Sequence, residues 1–152
     1  MKKIILVVCL LFSVSTLLFA CGGSSSSKNL GKGKVMVLEL ESNPSTGYDW
    51  VYETTGDAEL FLDREDYRDA NDANMVGAGG IRVLYFKGTK EGSANLVLTY
   101  KRPWEGGETA YDVVYELSVD KDMNITCLSK TKGVVNSDKE LSFFPNPKFE
   151  KE

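Results

Sequence analysis

Residues 34–41 read KVMVLELE, and their alternation decides the fold. Met36, Leu38 and Leu40 fall on one face of an extended chain, Glu39 and Glu41 on the other. Successive side chains of a strand point to opposite faces, so this period of two marks a strand with one face buried. The rhythm recurs downstream. YDWVYE (48–53), ELFLDRE (59–65), IRVLYFKG (81–88), SANLVLTYK (93–101), AYDVVYELSVD (110–120) and ITCLSK (125–130) read as further strands. TTGD, TKEG and KDMN read as turns between them, and DYRDANDAN (66–74) as a polar stretch. No segment keeps a helical period. Short strands with frequent turn signals predict an all-β chain, an antiparallel sandwich or barrel. The Cys…Trp…Cys spacing of immunoglobulin domains is missing, so a sandwich here is immunoglobulin-like in topology alone.

The 152 residues suggest one domain. Residues 1–20 form a basic start followed by the apolar run IILVVCLLFSVSTLLFA, the pattern of an export signal. Cys21 follows directly. The ending LFAC resembles the lipobox of bacterial lipoproteins, although Phe19 is bulkier than usual there. That resemblance implies lipidation at Cys21, an exported protein held on a bacterial membrane, and a tether over 21–33. CGGSSSSKN is polar and small, which suits a tether. From Cys21 onward there are 16 basic and 22 acidic residues, a net charge of −6. Nucleic acid is excluded as partner, because phosphate binding needs a basic patch.

Cysteine and histidine usage narrows the chemistry. Cys9 leaves with the signal and Cys21 carries lipid, so Cys127 has no intrachain partner and reads as a structural side chain in a strand. The chain has no histidine. That removes Ser-His-Asp and Cys-His catalysis and the commonest zinc ligand. No cofactor and no metal site are expected, and the chain is not expected to be an enzyme. GAGGIR (77–82) has Arg82 where a dinucleotide fingerprint needs glycine, and a strand follows it where a helix is required. GKGK (31–34) lacks P-loop spacing. DREDYRDAND (63–72) lacks the glycine and closing glutamate of a calcium loop and reads as a solvated loop. NIT (124–126) matches a glycan acceptor formally, which a bacterial lipoprotein would rarely use.

Three loops remain: NPSTGY (43–48), VGAGG (76–80) and RPWE (102–105). Each has an ordinary explanation when taken singly. Pro44 and Gly47 set a turn, the glycines permit positive φ, and a tryptophan fills a core. Topology weighs against all three explanations at once. Alternate loops of such a sandwich emerge at one end, so these three lie side by side. Trp104, between Arg102 and Glu105 in a Gly-containing loop, is poorly placed for a core. Tryptophan beside arginine on a rigid loop is the composition of a binding hot spot.

The three motifs, in this order and at these intervals, resemble the chagasin family of cysteine-peptidase inhibitors over roughly residues 34 to 120. The resemblance implies an immunoglobulin-like antiparallel β-sandwich of about seven strands. It also implies a reversible inhibitor whose three loops occlude the cleft of a papain-like cysteine peptidase. Asn43, Pro44, Ser45, Thr46, Gly47 and Tyr48 match the loop that sits over the catalytic pair. Ser45 stands where relatives commonly carry threonine. Gly77, Ala78, Gly79 and Gly80 match the loop whose backbone meets the unprimed side. Arg102, Pro103, Trp104 and Glu105 match the loop whose tryptophan covers the primed side. The family's first strand is absent here or replaced by SSSSKNLGKG, and the chain past Asp120 exceeds the family's usual end. The expected organisation is a signal at 1–20, a tether at 21–33, an inhibitor domain at 34–128 and an extension at 129–152, in a monomer. The rival expectation is a surface lipoprotein with an adhesion domain and no peptidase target.

Overall fold

Alternation becomes pairing in the structure, a computed structural model that describes residues 33–69, 79–134 and 145–151. Eight strands lie among the described residues: β1 (Val35–Ser42), β2 (Asp49–Gly56), β3 (Glu59–Asp69), β4 (Gly80–Lys90), β5 (Gly92–Lys101), β6 (Thr109–Val119), β7 (Ile125–Val134) and β8 (Lys148–Glu150). They form two four-stranded sheets, in the orders β3-β4-β1-β8 and β2-β5-β6-β7. Every pairing is antiparallel. The fold is an immunoglobulin-like β-sandwich, as expected, with one strand more than the sequence suggested.

The core sits between the sheets. Met36, Leu38 and Leu40 of β1 face it together with Leu84 and Phe86 of β4. Leu96 and Leu98 of β5 and Val113, Tyr115 and Leu117 of β6 meet them from the other sheet. Each side chain buried this fully contributes about 1.5–3 kcal/mol by leaving water. The second face of β1 is apolar as well. Val35 and Val37 form a smaller buried cluster with Val83, packed by Ile81 and Tyr85, so only Glu39 and Glu41 keep that face polar.

Several strands outrun their sequence signals. β2 continues through the expected TTGD turn to pair Gly56 with Ala94, and the chain turns at Asp57 and Ala58, whose N–H groups both donate to Ser93 O. β3 continues to Asp69. The carboxylate-rich stretch expected to be a solvated loop is therefore strand at least over residues 63–69. Pairing with β4 overrides the weak strand preference of aspartate, and ion pairs neutralise the charges: Asp63 with Lys87, Glu65 with Arg82 and Arg68 with Glu39. A register shift between Leu62 and Arg64 lets Asp63 reach Lys87.

The chain's last segment belongs to the sandwich. Residue 128 falls inside β7, and β8 lies beside β1, pairing Val35 with Glu150 and Val37 with Lys148. Tyr115 in mid-core donates its phenol to Pro145 O at 2.8 Å, which ties the residues just ahead of β8 to β6. Lys148 reaches Glu39 at 2.8 Å. That pair and Arg68 hold the Glu39 carboxyl below its ordinary range.

Strand direction divides the molecule into two poles. β1 runs from Val35 at one pole to Ser42 at the other. The β2–β3, β4–β5 and β6–β7 turns lie at the Val35 pole, and Lys34 N donates to Asn124 Oδ1 there. The β1–β2 and β5–β6 connections lie at the Ser42 pole, as does the root of β4. The signal segment 1–20, Cys21, the tether up to residue 32, and Gly77 and Ala78 lie outside the described residues.

Candidate functional site

The β1–β2 connection is a closed turn. Pro44, Ser45 and Thr46 make one turn of 3-10 helix, with proline in its first turn where a missing N–H costs nothing. Asn43 caps it: its Oδ1 accepts from Ser45 N at 3.2 Å and from Ser45 Oγ at 2.6 Å. Asn43 O accepts from Thr46 N at 3.1 Å and Thr46 Oγ1 at 2.7 Å. Gly47 closes the turn at φ 76°, a left-handed conformation that glycine adopts without strain, and its N–H donates to Pro44 O at 3.0 Å. Pro44, Ser45 and Thr46 are exposed. The residues that return the chain are not. Tyr48 is only 4% exposed and Trp50 is buried.

Beneath this loop lies a floor of aromatic rings. Tyr48 stacks on Tyr100 with centroids 5.3 Å apart, Trp50 meets Tyr100 at 5.0 Å and Tyr111 at 5.5 Å, and Tyr100 stacks on Tyr111 at 5.2 Å. Polar tips are satisfied at its edges. Asn43 N donates to the Tyr100 hydroxyl at 3.2 Å, Trp50 Nε1 donates to Glu41 O at 2.8 Å, and Tyr48 donates its phenol to Glu108 at 2.5 Å. Rings that are both stacked and hydrogen-bonded leave the loop little freedom.

The β5–β6 connection leans on the first loop. Arg102 N donates to Glu108 O and Gly107 N to Trp104 O, which closes a hairpin over residues 102–108. The Arg102 guanidinium lies 4.8 Å over the Tyr48 ring and 5.8 Å from the Trp104 ring. Ring faces take the place of acceptors for it, and its buried Nε has no hydrogen-bond partner. Pro103, Trp104 and Glu105 are exposed, Trp104 by 55%. The Trp104 ring rests against the first loop: a Cβ built on Gly47 would stand 2.8 Å from its Cη2. The second loop arrives from the other side. A Cβ on Gly79 would lie 3.2 Å from Ser42 O and 3.5 Å from Asn43 Cβ. Gly79 is half-buried and Gly80 buried.

The described parts of the three loops therefore form one row at one pole. Two side chains outside the motifs hold it. Arg82, two residues past Gly80 on β4 and 16% exposed, grips Glu65 of β3 through Nε and NH2 at 2.8 and 2.9 Å. Its NH1 bonds Asp49 and, at 2.9 Å, Trp50 O on β2. One guanidinium thus ties the exits of the first and second loops together. Glu108 is the second, through Tyr48. A signal for Arg82 exists in the sequence: it occupies the inward phase of Leu84 and Phe86, where a charge must find partners. Nothing local marks Glu108.

The chain matches the family model described as chagasin family peptidase inhibitor over residues 29–119. Amoebiasin-1 of Entamoeba histolytica is 30% identical over 98 residues, 64% of this chain and 91% of that protein. Chagasin of Trypanosoma cruzi is 31% identical over 78 residues, 49% of this chain and 70% of that protein. A crystal structure of a cysteine protease inhibitor from Entamoeba histolytica is similar at 26% identity, with a TM-score of 0.44, over 67% of this chain and 77% of that one.

Proposed function

The chain belongs to the chagasin family of peptidase inhibitors, and on that premise we propose that it blocks papain-like cysteine peptidases by seating its row of loops in the active-site cleft. The observation that carries this reading is the contact of the first loop with both others, Gly47 against Trp104 and Asn43 against Gly79. Thr46 and Ser45 stand at its crest, over the thiolate and imidazolium of the enzyme. Gly79 and Gly80 bring backbone close to one wall, and Trp104 covers the other.

The loop resists being a substrate. A peptidase cleaves chain that lies extended in its groove, whereas Pro44–Thr46 is a helical turn whose carbonyls at Asn43 and Pro44 are already bonded within the loop. Opening it would cost those bonds and Thr46's hydroxyl contact. Occlusion without covalent chemistry is the result. The contacts of Gly47 with Trp104 and of Gly79 with Asn43 also exist before binding, so little ordering entropy is lost there. We further propose that Cys21 is lipidated after removal of residues 1–20 and holds the inhibitor on a bacterial membrane. Replacing Cys21 by serine should abolish lipid labelling and release the protein from membranes.

The direct test takes the chain from residue 22 onward. Titration into papain, followed by cleavage of a fluorogenic peptide, should remove activity stoichiometrically, and the domain should remain uncut. Full papain activity at excess domain would reject the inhibitor reading and favour an adhesion module.

A further inference from the structure

We propose that Tyr67, near the end of β3, is a second aromatic anchor of the binding edge, at the end opposite Trp104, and that it meets the wall of the peptidase cleft beside the second loop. This rests on the inhibitor reading above.

The edge is a chain of contacts with a direction. Trp104 lies on Gly47, the first loop runs back to Asn43 and Ser42, and Gly79 lies on these. Tyr67 is the next member. A Cβ on Gly80 would fall 2.5 Å from its phenol oxygen and 2.6 Å from Cζ, so the ring covers Gly80, and the hydroxyl donates to Ser42 O at 3.4 Å. The residue thus touches the roots of the first and second loops. Trp104 holds the same relation to Gly47 at the far end.

Tyr67 stands outside the buried core. It is 43% exposed and is a member of neither buried apolar cluster. It is the one aromatic in DREDYRD (63–69), whose other members are all charged. A tyrosine standing at the rim of a rigid surface offers large apolar area, few rotatable bonds and a hydroxyl, the composition that dominates binding hot spots. The partner chemistry it fits is an apolar groove wall with a polar group in reach of the phenol. Gly80 serves this arrangement, since any side chain there would displace the ring.

The experiment compares the residue-22 domain with its Tyr67→Ala, Tyr67→Phe and Trp104→Ala variants, measuring Ki against papain and the unfolding temperature of each. Tyr67→Ala should raise Ki about tenfold or more at an unchanged unfolding temperature, and Tyr67→Phe should keep most of the affinity. Should Tyr67→Ala also unfold earlier, a benzoylphenylalanine photo-crosslinker at position 67 decides: it should couple to papain, and excess unlabelled domain should suppress the adduct. Wild-type Ki in Tyr67→Ala, or no adduct from position 67 in a formed complex, overturns the proposal while leaving the inhibitor reading intact. A wild-type domain without effect on papain overturns both.

Discussion

A methyl group on Gly47 would stand 2.8 Å from the Trp104 ring and would force a non-glycine residue to φ 76°. Gly47→Ala should therefore lower stability by about 1–2 kcal/mol through backbone strain. It should weaken inhibition further, because the indole must also move; a thermal melt beside a Ki measurement separates the two effects. Trp104 itself, 55% exposed, contributes little to folding. Trp104→Ala should leave the melt unchanged and cost about 2 kcal/mol or more of binding. On the proposed seating of the loops, Thr46→Arg would place a long cation at the crest, beside the enzyme's imidazolium. It should abolish papain inhibition, with near-ultraviolet circular dichroism unchanged. The motif residues were legible in the sequence because their types are unusual together: two prolines, paired glycines and a tryptophan in polar loops. Their division of labour was not legible. Tyr48 belongs to a motif yet faces inward, and Glu108 belongs to none yet holds Tyr48 by its phenol. Those contacts span 60 residues, a separation that local spacing does not encode.

Strands β2, β3 and β4 meet at Arg82. Arg82→Met should lose about 1–2 kcal/mol, kept small by the exposure of Asp49 and Glu65 to water. Its more specific effect belongs to the loops. The amides of Gly47 and Tyr48 should exchange hydrogen faster and Ki should rise, while amides of β6 stay protected. Element existence was readable for the first seven strands, since each holds apolar residues at alternate positions over part of its length, as Met36, Leu38 and Leu40 do in β1. Element ends were not. Thr54, Thr55 and the charged run after Glu65 remain in strand because a neighbouring strand offers them partners, which lies outside any local window. β8 is the plainest case. Lys148–Glu150 has no apolar alternation of its own and is held by β1 and by the Lys148–Glu39 pair.

The sandwich as a whole should lose stability in alkali. Burial pushes the phenols of Tyr111 and Tyr115 well above their ordinary value of 10. Above pH 10 the unfolded chain gives up those protons and the folded one keeps them, so stability falls as pH rises, by at most about 1.4 kcal/mol per group and pH unit. Chemical denaturation at a series of pH values should show this decline, and Tyr115→Phe should flatten it. The two poles carry a consequence for how such an inhibitor can be mounted. Lys34 enters and Glu150 leaves at the pole away from Asn43, because Val35 and Glu150 are partners across β1 and β8. Eight residues of β1 separate that pole from the loops, about 26 Å. A fused protein or resin coupled beside Lys34 or Glu150 thus lies at the pole away from the proposed binding edge. An immobilised form should capture soluble peptidase as readily as the free domain, whereas coupling through the β5–β6 hairpin should leave a folded but inert protein.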